Sequence, residues 1–239
     1  DKLLKWCIEN SHLRLSICDA MSLAFSARYQ VPFKSYRNAV DVNSLQTYFK
    51  PKNNASNKKK CITYVGSVYS FAQSESLLDV ARIVERINEK DEIQFNLFVP
   101  DFCFPFAHEL LEGHLRTSVF RQIEQDQIYY QTLRESDILL LPSNFDNESI
   151  EFIRYSMPTK IPPYLLSGTP ILVYGSQETA QVQYAKEAGW GYCVTERKDQ
   201  ILEDSIQELL FNNELRNMLV SRAMKTVSTN HDLPVVSTS

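Results

Sequence analysis

An α/β fold built on a doubly wound parallel sheet is what this 239-residue chain predicts, and two features carry the expectation. Short apolar runs, each stopped by Pro, Gly or a polar residue, alternate with stretches of helical period. That is the pattern of parallel strands covered on both faces by crossover helices. The helical stretch over 74–90 shows the second feature: Leu77, Val80, Ala81, Val84 and Ile87 share one face while charges occupy the other.

Taken in order, strands are expected at 61–66, 92–99, 115–121, 137–141, 170–174 and 191–195, with helices at 198–211 and 213–228 closing the domain. Right-handed crossovers would join the strands. Before residue 53 the pattern differs: a helix at 1–10, a strand at 13–19, a helix at 20–29 and a strand at 33–37 form a partial N-terminal α/β unit too small to stand alone. The Asn/Ser-rich run Asn53–Asn57 and the lysines Lys58, Lys59 and Lys60 read as a solvated linker. The expected division is 1–52 for the partial unit, 53–229 for the main domain and 230–239 for a tail.

The stretch 137–173 is the most informative. A strand ends at Pro142, a polar loop from Ser143 to Ser156 leaves its carboxyl end, Pro158 opens a helix with Thr159 and Lys160 in its first turn, and Gly168 closes it. In open α/β sheets that edge is where anionic ligands dock. A lysine at a helix N-terminus is electrostatically unfavourable unless an anion sits there, so Lys160 is either a solvated residue or an anion ligand, with the N–H groups around Pro158–Ile161 beside it. Gly66-Ser67 follows a strand, as a plain turn or as a place where phosphate approaches the backbone. The loop from Ser143 to Glu148, with Asn144, either holds sugar or ribose hydroxyls or is a capped surface loop.

The run Ser156-x-Pro158-Thr159-Lys160-Ile161-Pro162-x-Tyr164-Leu165-x-Ser167-Gly168-x-Pro170-Ile171-Leu172 resembles the nucleotide-sugar-binding domain of GT-B glycosyltransferases, in particular glycosyltransferase family 4. Tyr64-Val65-Gly66-Ser67 is similar to the glycine turn opening that domain, and the segments 15–21, 28–29 and 36–41 to the passage out of an acceptor domain. The resemblance covers most of the chain. It implies a Rossmann-like donor domain, without cofactor or metal, binding a UDP- or GDP-linked sugar and transferring the sugar to an acceptor in glycan or polysaccharide synthesis. It also implies an acceptor domain whose earlier part is absent here, so that the tail is a truncated crossover. The substrate-binding residues implied are Gly66, Ser67, Ile123 near the base, Asn144, Tyr155, Ser156, Pro158, Thr159, Lys160 and Tyr164, while no catalytic residue is identified.

Two departures stand against the matches. Related domains carry an Arg or Lys in the loop after the glycine, and Ser67 to Ser76 holds none. They also place a ribose-binding Glu where this chain has Pro163, or upstream near Tyr155 or Ser156, and proline has no side-chain acceptor. A degenerate, noncatalytic nucleotide-sugar-binding module or a GT-B-type sugar epimerase are therefore the alternatives.

Other functions fit less well. A net charge of −4 argues against a nucleic-acid surface, and no apolar run reaches the roughly 20 residues of a membrane span. His108 and His114 are six apart and cannot share a helical face as a zinc pair does. With six glycines and Gly66 unaccompanied, the dinucleotide fingerprint is missing. The five cysteines are scattered, with Cys18, Cys61 and Cys193 expected in strands, which suits reduced thiols in a cytoplasmic protein.

Overall fold

The computed structural model describes residues 2–48, 59–87 and 92–238. The N-terminal unit comprises α1 (Lys2–Asn10), β1 (Leu15–Ser16), α2 (Asp19–Tyr29), β2 (Lys34–Ser35) and α3 (Val42–Gln46). The main domain runs β3 (Lys60–Val65), α4 (Ser74–Ile87), β4 (Ile93–Val99), α5 (Phe104–Leu110), β5 (Thr117–Arg121), α6 (Asp126–Glu135), β6 (Ile138–Pro142), α7 (Asn147–Ile153) and α8 (Ile161–Leu166). It continues through β7 (Ile171–Tyr174), α9 (Ala180–Ala188), β8 (Gly191–Val194), α10 (Asp199–Phe211) and α11 (Asn213–Asn230), and α12 (Leu233–Ser237) follows in the tail.

β3 to β8 form a six-stranded sheet in the order β5-β4-β3-β6-β7-β8, every described pairing parallel. This is the expected α/β Rossmann-like, doubly wound arrangement. The order reverses between β3 and β6, so the crossovers leave the sheet in opposite directions there and open a crevice at the strands' carboxyl ends.

Strand periodicity divides the core into two layers. Ile62 and Tyr64 of β3, Ile138 and Leu140 of β6, and Leu172 and Tyr174 of β7 pack on one face with the apolar side of α4 and with Leu202, Ile206 and Leu209 of α10. Leu139, Leu141, Ile171 and Val173 point the other way, into a layer with Tyr164 and Leu165 of α8, Trp190, and Ala223 and Val227 of α11. Because both faces are covered, β6 and β7 are buried at every position and read as continuous apolar runs. Each fully buried aliphatic side chain contributes about 1.5–3 kcal/mol. Asp79 pins this packing: it is 2 % exposed, accepts from Tyr174 Oη at 3.0 Å and from Arg197 Nε at 2.8 Å, and so ties α4 to β7 and to the segment after β8.

Several expectations are corrected. Lys60 does not belong to a solvated linker: it opens β3 and pairs with Asp137 at 3.2 Å, while Asn53–Asn57 and Lys58 lie outside the described residues. The N-terminal strands shrink to residue pairs, and Cys18 is not in a strand but at the N-cap of α2, where it is buried. The stretch after Pro142 is not loop throughout, because Asp146 accepts from Ser149 N at 2.8 Å and starts α7.

The tail returns to the N-terminal unit. Val40 and Asp232 form a parallel bridge, Leu233 N donates to Val40 O at 2.9 Å, and the His231 ring joins Asn38 O at 2.7 Å and Tyr184 Oη at 2.8 Å. With Nδ1 donating to the carbonyl, Nε2 of the neutral ring accepts from the phenol. Burial lowers its pKa accordingly.

Candidate functional site

At the carboxyl end of β3 the chain turns through Gly66 with φ of +143°, a conformation that strains a residue carrying Cβ. The missing Cβ leaves room for a lysine. An ideal Cβ on Gly66 would stand 2.2 Å from Lys160 Nζ and 2.7 Å from its Cε, so the amine lies directly against the turn. Lys160 Nζ donates to Tyr64 Oη at 3.0 Å and sits 4.1 Å from the centre of the Tyr64 ring. Tyr64 is fully buried, and its hydroxyl donates to Ser67 O at 2.5 Å.

Lys160 as a whole is half-buried, with its amine turned inward. Among the described residues it has no carboxylate partner, and desolvation lowers its pKa to about 7. A cation in this setting lacks the counterion that would stabilise it, which a bound anion would supply. The N–H groups of Ser67 and Val68 likewise have no hydrogen-bond acceptor among the described residues, whereas Gly66 N is committed to Phe98 O at 2.9 Å. Lys160 and the turn after β3 thus present a cation and free backbone donors at the switch point of the sheet.

The helix that follows contributes less than its position suggests. Lys160 stands at the N-cap of α8 rather than in its first turn. Ile161 N is taken by Pro158 O at 3.1 Å, and Pro162 and Pro163 have no N–H, so the first helical turn has no free donor. The expected helix-terminal anion site is therefore reduced to the lysine and to the backbone of Thr159 and Lys160 before the helix begins.

The other candidate residues divide into separate groups. Asn144 is fully buried; its Oδ1 accepts from Glu75 N and Ser76 N at 3.1 and 3.3 Å, and its Nδ2 donates to Ser70 O and Ser149 Oγ at 3.0 and 3.2 Å. Its amide caps α4 and braces the loop, with all four polar valences engaged. Tyr164 is also fully buried, its hydroxyl accepting from Val65 N at 2.9 Å, so it anchors α8 beneath the glycine turn. Tyr155 packs its ring 6.4 Å from that of Phe25, and its carbonyl accepts from the Cys18 thiol at 3.6 Å, facing the N-terminal unit. Thr159 and Ser156 are exposed and Pro158 half-buried beside Lys160. Ile123 leaves the edge strand β5 two strands from β3, roughly 10 Å across the sheet at about 4.8 Å per strand.

Sequence reasoning missed Tyr64 as a site residue, although it stands in the quoted glycine-turn motif. It also missed an aromatic rim: Tyr69 and Phe71 stack at 5.3 Å, Phe102 and Phe152 extend the group, and all four rings are exposed on segments following β3, β4 and β6. Elsewhere, a cavity of about 190 Å³ lies between the N-terminal unit and the main domain, lined by Cys18, Arg37, Met157, Tyr184 and His231, away from Gly66. Among the described residues no group of three His, Cys, Asp or Glu side chains is placed to hold a metal ion. Nor is any described helix long and apolar enough to cross a membrane.

Neither a protein-family profile nor any curated protein matches the sequence. Solved structures do match. An α,α-trehalose-phosphate synthase (UDP-forming) from Burkholderia vietnamiensis superposes with a TM-score of 0.73 at 14% identity, over 98% of this chain and 62% of that one. TarM from S. aureus, in complex with Fondaparinux, alpha-GlcNAc-glycerol and UDP, gives 0.72 at 12% identity over 100% and 45%. WaaG, a glycosyltransferase involved in lipopolysaccharide biosynthesis, gives 0.62 at 15% identity over 94% and 60%. The chain spans 45% to 62% of the length of these three proteins. It has their fold, the Rossmann-like α/β domain of GT-B glycosyltransferases.

Proposed function

We propose that the chain is the donor-binding half of a glycosyltransferase, taking a UDP- or GDP-linked sugar and passing the sugar to an acceptor in glycan or polysaccharide synthesis. The observation that carries this reading is the Lys160 amine, without a carboxylate partner among the described residues and held in the space left by Gly66. Sugar transfer leaves a nucleoside diphosphate bearing extra negative charge. A preorganised cation with free N–H donors at Ser67 and Val68 stabilises that charge as it develops.

In this reading the diphosphate lies over the turn after β3, and the base lies toward the end of β5 near Ile123. The nucleotide sugar is a substrate, no resident cofactor or metal is invoked, and the site is completed by an acceptor domain on the N-terminal side. We assign the protein to the cytoplasm, where its five thiols stay reduced.

A second reading, a noncatalytic nucleotide-sugar-binding module, has its own observation. Pro163 is buried in α8 and offers no acceptor for ribose hydroxyls, and Asn144 is occupied in bracing the fold. Calorimetric titration with UDP, GDP and ADP, beside Lys160→Ala, tests both readings. Tight binding of one nucleotide, weakened ten- to a hundredfold by the substitution, is expected from the loss of a charge-assisted contact of about 1.5–3 kcal/mol. Silence toward all three from a folded protein refutes the donor site in this chain. Binding without transfer in the presence of acceptor glycans favours the module.

A further inference from the structure

We infer that Tyr64 is the positioning residue of this site, fixing the height of the Lys160 amine over the Gly66–Ser67 turn and so setting how well the turn takes a diphosphate. The inference rests on the donor-site reading and adds to it a residue that touches no ligand.

A phenol has a single proton, and Tyr64 gives it to Ser67 O at 2.5 Å. Its oxygen can therefore only accept from Lys160 Nζ, at 3.0 Å, which orders the chain of bonds from lysine to phenol to turn carbonyl. Burial raises the Tyr64 pKa well beyond the ordinary tyrosine range, so the phenol stays protonated and that order does not reverse. The ring adds a second restraint by lying 4.1 Å under the amine. Tyr64 itself cannot shift, because β3 holds it in the core layer with Ile62 and Leu140. The peptide whose carbonyl it grips carries the Val68 N–H, so the lysine and that backbone donor are held by the same hydroxyl.

Tyr64→Phe tests this, since the ring still fills the core while the oxygen is lost. Two readouts are taken on the wild type, Y64F, K160A and the double variant: the Lys160 titration, followed by NMR with side-chain-labelled lysine, and UDP and GDP affinity by calorimetry from pH 6 to 9. Losing an acceptor that favours the charged amine is expected to lower the Lys160 titration point further. Nucleotide affinity is expected to fall by about three- to tenfold, with a larger loss at higher pH, while Y64F adds nothing in the K160A background.

An unmoved Lys160 titration overturns the inference, and so does a Y64F loss that is the same with and without Lys160, which would mark a merely structural role. If the wild type binds neither nucleotide but the titration still moves in Y64F, the donor reading fails while the positioning contact stands.

Discussion

Gly66→Ala probes the site where backbone and lysine meet. The methyl group brings two costs. At φ of +143° a residue with Cβ is strained by about 1–3 kcal/mol, which lowers stability directly. The new carbon would also stand 2.2 Å from Lys160 Nζ and 2.7 Å from Cε, so the lysine must withdraw. Because the clash is with the end of a flexible side chain, withdrawal costs the fold little but removes the cation from the turn. Nucleotide affinity is therefore expected to fall by about ten- to a hundredfold, the worth of one charge-assisted hydrogen bond, while the domain still folds. Calorimetry with the nucleotide that the wild type binds, paired with thermal denaturation, separates the two costs. The decisive comparison is with K160A: the double variant should bind no more weakly than either single one. A G66A protein that folds and binds like the wild type, beside a K160A protein that does not, would show that the amine and the glycine act at different places.

With its pKa lowered to about 7, free Lys160 is half neutral near that pH, so anion binding above it must take up a proton; affinity is expected to weaken from pH 7 to 9 in the wild type and to be flat in K160A. Asp79→Ala leaves Arg197 and the Tyr174 hydroxyl without their buried acceptor; since Arg197 is 42% exposed and also meets Glu75, the cost is put at about 2–3 kcal/mol, a Tm fall of roughly 4–12 °C, and an unchanged Tm would show that the pair holds nothing. His231 titrates below its ordinary value when folded, so the unfolded chain takes up its proton first. Its contribution is whole above pH 6.5 and is lost as pH falls from 6.5 toward the folded pKa. Urea denaturation from pH 8 to 5 should show this loss in the wild type and less of it in His231→Gln.

The parallel sheet was legible because strands buried on both faces leave unbroken apolar runs, as Ile138–Pro142 does, and α4 because its apolar stripe has the helical period. The glycine turn and Lys160 were legible as parts of a motif. Their contact was not, because nothing local states that a side chain 94 positions beyond Gly66 returns to the space that glycine leaves. Asn144 misled for a related reason: an amide in a polar loop reads as a ligand group, and only the folded chain shows both its ends engaged by α4 and its neighbours. Pro162 and Pro163 were visible, yet their removal of helix-terminal donors mattered only once α8 was seen to begin at Ile161. Short α7 was concealed by its seven residues, too few for a period to emerge.

The clasp formed by His231 and Asp232 holds two distant parts of the chain together. The bond from the His231 ring to Asn38 O joins positions 193 apart, so the N-terminal unit is secured only once the segment after α11 is in place. The entropy of closing so long a loop grows only logarithmically, about 0.6 kcal/mol for each doubling, and most of it is already met by the folded domain between the two ends. The N-terminal unit, with Leu3, Trp6, Leu13 and Leu23 open to solvent, is thus the part most readily released. Shortening the chain after Asn230 should free it to protease while the six-stranded sheet stays intact.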